Sequence, residues 1–264
     1  MLSSSSLHRQ AQLLLSTYIH SFAPADKCYE YDPNMDVALI TQPDIEIFGI
    51  RILEPVTSAT DILVAATCIY AYWRLRKAKV EGRTAQFMEW YFLTMGFATF
   101  FGGMIGHAFL YAVNEHWKLL GWFVSMVSIA LIERAAIQHA TRLINPRFGK
   151  AFLILNVVEL LTFMVVTAIT LHFRFVQIHV VYGLLIVVFF FQLYVYLKTK
   201  DIGSKIFLQA IAVMLVAAFI FNYPVVLHEW FNHRDFAHVL MAIGTIIFLK
   251  GTLRLGELPS NSAE

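Results

Sequence analysis

Long apolar runs dominate the pattern of hydrophobic and polar positions along the chain. Seven such runs cover approximately residues 57–75, 87–112, 118–138, 151–172, 176–197, 204–227 and 236–254. A hydrocarbon core of about 30 Å requires roughly 20 apolar residues per spanning helix, whereas a barrel strand alternates over about ten residues. The runs therefore predict an all-α membrane protein, a bundle of seven transmembrane helices.

The composition agrees with an integral, multi-pass membrane protein. Of 264 residues, 58% are hydrophobic and 14% are charged, whereas soluble proteins carry about 25% charged residues. The two cysteines, Cys28 and Cys68, cannot form a disulfide framework and lack zinc-type spacing. The first residues lack the basic and apolar regions of a signal peptide, so no cleaved signal is expected.

Basic residues concentrate in alternate loops of the predicted bundle. Examples are Arg76, Lys150, Lys200 and Arg254, which follow the first, third, fifth and seventh regions. Because positive charge marks the cytoplasmic side, the amino terminus is predicted outside and the carboxyl terminus in the cytoplasm. The net charge of +2 and these basic loops carry no signal for nucleic-acid binding.

The pattern divides the chain into three regions. Residues 1–56 are predicted to be extracytoplasmic, residues 57–254 to form the transmembrane domain and residues 255–264 to form a cytoplasmic tail. Residues 1–22 place apolar side chains at helical spacing, which favours an interfacial helix or a disordered start. Residues 23–56 are acidic and punctuated by prolines, so a loop is expected there.

The acidic loop contains a short match to a calcium-binding pattern. Asp32, Asn34 and Asp36 alternate oxygen-bearing side chains, as at the start of a calcium loop. Val37, however, occupies the position where the sharp turn would require glycine. A solvated acidic loop is therefore the alternative to a calcium site.

The fourth run contains two polar residues in its interior. Asn156 and Glu159 are three positions apart and share one helical face. At 1.5 Å per residue, Glu159 lies nearly halfway through the bilayer, where a carboxylate is costly and indicates a functional site. The structural alternative is a protonated glutamic acid bonded to a neighbour such as Asn156 or Gln192.

Histidines concentrate on the predicted outer side of the bundle. His107, His179 and His238 lie at similar depth inside the second, fifth and seventh runs, and Asp235 precedes His238 by three positions on the same face. Two or three imidazoles with a carboxylate form the ligand set of a catalytic zinc site. These four residues are therefore predicted zinc ligands, with Asp235 also the candidate general base. Interfacial, hydrogen-bonding histidines are the alternative.

Two motifs place histidines at equivalent ends of two runs. They are Gly103-x3-His107 late in the second run and Arg234-x3-His238 at the start of the seventh. This layout resembles the CREST superfamily, which includes the alkaline ceramidases and the progestin and adipoQ receptors. The superfamily pattern has serine where Gly103 stands, histidine where Arg234 stands and an aspartate near the start of the third helix. Here the corresponding region is Lys118-Leu-Leu-Gly121, without an acid.

The resemblance implies a zinc-dependent, membrane-embedded hydrolase of a lipid amide or ester, with a sphingolipid or another membrane lipid as substrate. It also implies a calcium site, because the stretch from Glu54 to Asp61 is similar to the ceramidase segment around the first helix. Glu54 would then join Asp32, Asn34 and Asp36 as a calcium ligand.

Departures from the superfamily pattern leave another class of function open. Gly103, Gly121 and Arg234 replace the serine, the acid and one histidine, which favours a non-catalytic seven-helix receptor or lipid-binding protein that keeps the scaffold. A haem bound between His107 and His238 is a third interpretation.

Overall fold

Within residues 42–223 and 226–255, which the computed structural model describes, seven long helices match the seven apolar runs. They are α1 Pro55–Ala78, α2 Arg83–Phe101, α3 Lys118–Ala140, α4 Pro146–Thr170, α5 Phe173–Thr199, α6 Ile202–Asn222 and α7 His233–Thr252. Five of them, α3 to α7, are long and apolar enough to cross a membrane by length and composition. These five helices indicate a multi-pass membrane protein.

Two of the helices contain π-helical segments. Gly102–Ala108 continues α2 as a π-helix, and Gly183–Val188 interrupts α5 in the same way. Such segments are rare and occur frequently at functional sites. The first segment contains His107, and the second begins at Gly183.

The first and last helices of the bundle, α1 and α7, are in contact. Helix α1 contacts both α2 and α7, while α6 packs along α7 and α5. Helix α3 contacts α2, α4 and α5, and α4 is peripheral, with only Gly149, Asn156 and Thr167 buried. The contact between α1 and α7 therefore places residues about 180 positions apart in the sequence side by side.

The interior is formed by apolar side chains from α1, α2, α3, α5, α6 and α7. Large members of this core include Leu75, Phe92, Ile132, Phe207 and Phe248, all fully buried. The outward surfaces also carry large apolar side chains, as is expected where helices face lipid.

Several helix starts follow from local sequence. The side chains of Asn145 and Asp201 accept hydrogen bonds from the first turns of α4 and α6, and Asn232 and Asp235 form a capping box at the start of α7. Helix α1 differs, because Glu54 precedes it with φ 41° and makes no side-chain cap bond.

Two short antiparallel hairpins add to the helices. Strands β1 Ile45–Ile47 and β2 Ile50–Ile52 form a hairpin within the segment for which the sequence predicts a loop. Strands β3 Val226–His228 and β4 Phe231–Asn232 pair just before α7, so the sixth run, predicted to extend to 227, ends as a helix at Asn222. The predicted interfacial helix at residues 1–22 lies outside the described residues.

A glycine in α7 tests how tightly α6 and α7 pack. A Cβ atom on Gly251 would lie 2.7 Å from Cδ2 of Phe207, whose ring is fully buried. We expect Gly251→Ala to lower the free energy of unfolding in detergent by about 1–3 kcal/mol, because overpacking forces the core to move. The control is Gly106→Ala, where nothing lies within 4 Å of the added Cβ. Equal stability of the two variants would contradict the packing described here.

Candidate metal centre

The first two turns of α1 carry four buried polar residues. These are Thr57, Ser58, Thr60 and Asp61. They lie against the π-helical end of α2, where the Ser58 hydroxyl donates a 2.9 Å hydrogen bond to the carbonyl oxygen of Gly103. A Cβ atom on Gly103 would lie 2.9 Å from Cβ of Asp61. Glycine at this position therefore allows α2 to approach Asp61 closely.

His107, in the π-helical segment, presents one ring nitrogen to Asp61. Its Nδ1 lies 2.5 Å from Oε2 of Glu54, and its Nε2 lies 3.7 Å from Oδ2 of Asp61. Because an ionised carboxylate can only accept a hydrogen bond, Nδ1 carries a proton and donates a hydrogen bond to Glu54. If the ring carries no second proton, the Nε2 lone pair is directed toward Asp61.

His238, in the second turn of α7, is oriented in a similar way. The Thr60 hydroxyl donates to the carbonyl oxygen of Thr57 at 3.0 Å, which leaves Thr60 Oγ1 to accept from Nδ1 of His238 at 3.1 Å. Nε2 of His238 then lies 3.4 Å from Oδ1 of Asp61. Two imidazoles from different helices therefore turn the same nitrogen toward one buried carboxylate.

We call Glu54, Thr60, Asp61, His107 and His238 the α1–α7 cluster. Asp61 is the member that the sequence prediction missed, since it was treated only as part of the opening of the first helix. A signal was present, because Asp61 is an acid immediately before an uninterrupted apolar stretch, and an ionisable residue inside a membrane span marks a functional site.

Asp235, the predicted zinc ligand and general base, is engaged in hydrogen bonds at the start of α7. Its Oδ1 accepts from the Thr57 hydroxyl at 2.7 Å. Its Oδ2 accepts from Nε2 of Gln42 at 2.6 Å and from the backbone N–H of Asn232 at 2.7 Å. Both oxygens thus cap α7 and join it to α1, which gives Asp235 a structural role, and its roles as zinc ligand and general base stay predictions.

His179 lies in a different cluster from His107 and His238. Its Nε2 donates to the carbonyl oxygen of Met126 at 3.0 Å, and its Nδ1 lies 2.6 Å from Oε1 of Glu159. Both ring nitrogens therefore face α3 and α4, so the structure brings His179 together with Glu159 and not with His107 and His238.

The intramembrane pair Asn156 and Glu159 is also divided between different partners. Asn156 Nδ2 donates to Oε2 of Glu133 at 2.6 Å, whereas Glu159 pairs with His179. We call Glu133, Asn156, Glu159 and His179 the α3–α5 cluster. Glu133 was not identified from the sequence, because it adjoins Arg134 near the basic end of the third run and resembles a charge at the membrane surface.

Glu54 takes part in the α1–α7 cluster, which gives it a different role from the predicted calcium ligand. Besides His107, it lies near Arg234, whose Nη1 is 3.5 Å from Oε1 of Glu54. Burial alone would raise the pKa of Glu54, but the hydrogen bond and charge of His107, with the charges of Arg234 and Lys118, lower it overall. Its proposed partners Asp32, Asn34 and Asp36 lie outside the described residues, so the calcium site stays a prediction.

The α1–α7 cluster has the donor chemistry of a zinc site. Two imidazole nitrogens and a carboxylate are a common zinc ligand set, and ligand atoms on a tetrahedral zinc are roughly 3.3 Å from one another. The distances of 3.4 Å and 3.7 Å from Asp61 to the two rings are close to this spacing, although in the described part of the chain only Glu133, Glu159 and His179 bring all three ligand atoms within 4.8 Å of one another. The set is nevertheless open, because the rings approach different oxygens of Asp61.

The structural role of Asp235 can be tested by an isosteric substitution. We expect Asp235→Asn to lower the free energy of unfolding by about 1–3 kcal/mol, because three buried donors lose a charged acceptor. Chemical denaturation in detergent measures this loss. Thr57→Val, which removes one of those donors, should cost less. A fully stable Asp235→Asn protein would show that the capping bonds are dispensable.

Comparison with known proteins identifies the family of the chain. No curated protein and no solved structure matches it. A family model described as a family of unknown function, DUF6962, matches residues 56–257, a range that contains all of α2 to α7 and nearly all of α1. The chain therefore belongs to the DUF6962 family.

Proposed function

We propose that the protein is a zinc-dependent, membrane-embedded hydrolase of a lipid amide or ester, with its centre in the α1–α7 cluster. The observation that carries this proposal is the convergence of two imidazoles on the carboxylate of Asp61. In both rings, Nδ1 is hydrogen-bonded to a side-chain oxygen. Two nitrogen lone pairs directed at a carboxylate repel one another unless a cation or a proton lies among them.

Each member of the cluster has a distinct part in this proposal. His107, His238 and Asp61 hold the zinc, while Glu54 and Thr60 keep the two rings in the tautomer that leaves Nε2 free. Bound zinc would supply a water of lowered pKa and polarise a carbonyl group. Arg234, next to Glu54, brings a cation that would stabilise negative charge on the substrate oxygen.

An apolar groove beside Asp61 supports a lipid as the substrate. The groove has a volume of about 520 Å³ and lies between α1 and α2. Its lining includes Ile62, Ala65, Ile69, Phe97 and Phe100. Ile62 follows Asp61 directly, so an acyl chain in the groove would place its head group near the cluster.

The same proposal includes seven membrane crossings, with the amino terminus outside and the carboxyl terminus in the cytoplasm. Helix α1 has 24 residues, and α2 with its π-helical extension runs from Arg83 to Ala108, so both are long enough to cross. Basic residues follow α1, α3, α5 and α7, which favours the cytoplasm for those ends.

Cysteine labelling tests this topology. In a chain whose Cys28 and Cys68 are replaced by serine, Glu46→Cys should react with a membrane-impermeant maleimide in intact cells. Lys200→Cys should react only after the cells are opened, because the loop after α5 is proposed to face the cytoplasm. The reverse pattern would overturn the orientation, and labelling of both positions in intact cells would overturn the seven crossings.

Metal analysis of the purified, full-length protein tests the zinc centre. We expect about one zinc per chain to be lost in His107→Ala, His238→Ala and Asp61→Asn, because each variant removes one of three ligands. His116→Ala is the matched control, since His116 is an exposed histidine whose Nδ1 lies 2.6 Å from Oδ1 of Asn114. Wild-type protein without zinc, or a zinc content per chain that is the same in wild type and in all three variants, would refute the centre.

A non-catalytic receptor or lipid-binding protein is the second candidate function. It is favoured by Gly103, which occupies the position of the superfamily serine and whose added Cβ would lie 2.9 Å from Asp61. Incubation with labelled ceramides and other lipid amides or esters separates the candidates. A hydrolase releases fatty acid and loses this activity in Asp61→Asn, whereas a receptor binds the lipid and leaves it intact.

A further inference from the structure

Three ionisable side chains from three helices meet inside the bundle, away from the α1–α7 cluster. Glu133 comes from α3, Glu159 from α4 and His179 from α5, and each offers a ligand atom within 4.8 Å of the other two. Glu159 is near the middle of α4, roughly 20 Å along the helix from Pro146. Glu133 and His179 are fully buried.

The position and tautomer of His179 are fixed by α3. Nε2 lies 3.0 Å from the carbonyl oxygen of Met126, and because a carbonyl can only accept, Nε2 carries a proton. Nδ1 is then the nitrogen that faces the cluster, 2.6 Å from Oε1 of Glu159. A neutral His179 in this tautomer presents a free lone pair, which is the form that binds a metal.

Glu133 is oriented by an amide whose direction is also determined. Arg134 Nη1 donates to Oδ1 of Asn156 at 3.1 Å, so Asn156 must turn its Nδ2 toward Oε2 of Glu133, 2.6 Å away. The other oxygen, Oε1, is fully buried and has no hydrogen-bond partner among the described residues. Oε2 of Glu159 is likewise buried and without a partner in that part of the chain.

Room for the Glu133 carboxylate is made by a glycine in α5. A Cβ atom on Gly183 would lie 2.2 Å from Oε1 of Glu133 and 2.5 Å from Cγ2 of Ile129. The π-helical segment of α5 begins at this same glycine, and π-helical segments are frequent at functional sites. Helix α5 is therefore shaped around the carboxylate.

With both carboxylates ionised, the cluster carries an excess of negative charge, and Arg134 contacts it through Asn156. Two carboxylates face one imidazole in an apolar interior, where like charges at close range are strongly disfavoured. A proton shared between Glu133 and Glu159 would also lower the charge and would partner their free oxygens, and an infrared carboxyl band distinguishes it from a metal. A metal cation supplies both the positive charge and a partner for those oxygens.

We propose that Glu133, Glu159 and His179 form a second metal site, which binds one divalent first-row transition-metal cation in the middle of the bundle. Carboxylate oxygens with an imidazole nitrogen suit Zn²⁺, Mn²⁺, Fe²⁺ or Co²⁺. Asn156 is a positioning residue, because it acts by holding Glu133. This site is separate from the proposed hydrolase centre and does not require that centre to exist.

Cobalt titration of the full-length protein in detergent tests the second site. Co²⁺ bound to imidazole and carboxylates absorbs in the visible range, and Asp61→Asn removes the contribution of the α1–α7 cluster. After removal of metals with a chelator, Asp61→Asn is expected to bind one Co²⁺ per chain. Adding Glu133→Gln or Glu159→Gln to Asp61→Asn should weaken this binding at least tenfold, because each removes a ligand.

The matched control is Glu89→Gln, also in the Asp61→Asn protein. It makes the same change at a glutamate of α2 outside the cluster, and Co²⁺ affinity should stay within twofold. Thermal unfolding gives a second measurement that does not require the double variants to fold. If the second site exists, Zn²⁺ should raise the unfolding temperature of the Asp61→Asn protein. The absence of Co²⁺ binding and of Zn²⁺ stabilisation in that protein would overturn the proposal.

Three further outcomes also decide the question. Equal Co²⁺ affinity with and without Glu133→Gln and Glu159→Gln would overturn the second site. A protonated carboxyl band in the infrared spectrum that disappears in Glu133→Gln, but persists in excess Co²⁺, would assign the cluster to a shared proton instead. If wild-type protein binds one ion that Asp61→Asn retains and Glu159→Gln loses, the second site stands and the α1–α7 centre fails.

Discussion

Burial of the Asp61 carboxylate among α1, α2 and α7 is the constraint on which this end of the bundle depends. An ionised carboxylate is costly in an apolar interior unless charged or hydrogen-bonding groups surround it. The ring nitrogens of His107 and His238 lie at 3.7 Å and 3.4 Å, and each ring is held by a further oxygen. These groups can compensate one another only while the three helices stay together, so the polar cluster specifies how the helices meet.

A layer of structural hydrogen bonds supports this arrangement. Gln42 accepts from the free backbone N–H groups of Val56 and Thr57 at 3.2 Å each and donates to Asp235. One side chain thus satisfies the start of α1 and joins it to the start of α7. Because these bonds are buried, removing a partner would leave groups that water cannot reach.

The α3–α5 cluster follows the same physical rule at a different place in the fold. Asn156 and Arg134 orient Glu133, and Met126 orients His179, before any charge within the cluster is considered. In both clusters a glycine, Gly103 or Gly183, brings a helix close to a buried carboxylate. In both, a π-helical segment begins at or beside that glycine. Close approach of backbones between small residues is typical of helices packed in membranes.

Much of the layout could be predicted from single stretches of sequence. The seven apolar runs correspond to seven helices, and the pairing of Asp235 with the start of α7 agrees with local helix geometry. The convergence of His107 and His238 was inferred from their similar depth, and both rings approach Asp61. Periodicity and depth are properties of each run alone, so they can be read without knowing which helices are neighbours.

The sequence by itself determined that this protein has long apolar helices with a few ionisable residues inside them, because apolar length and polar position are local properties. Only the tertiary structure decided which polar residues meet. It placed His179 with Glu159 rather than with His107, used Asp235 as a cap, and brought Asp61 and Glu133 into the two clusters. The physical reason is that the role of a buried ionisable group depends on the side chains that it contacts, and those side chains come from helices that are distant in the chain.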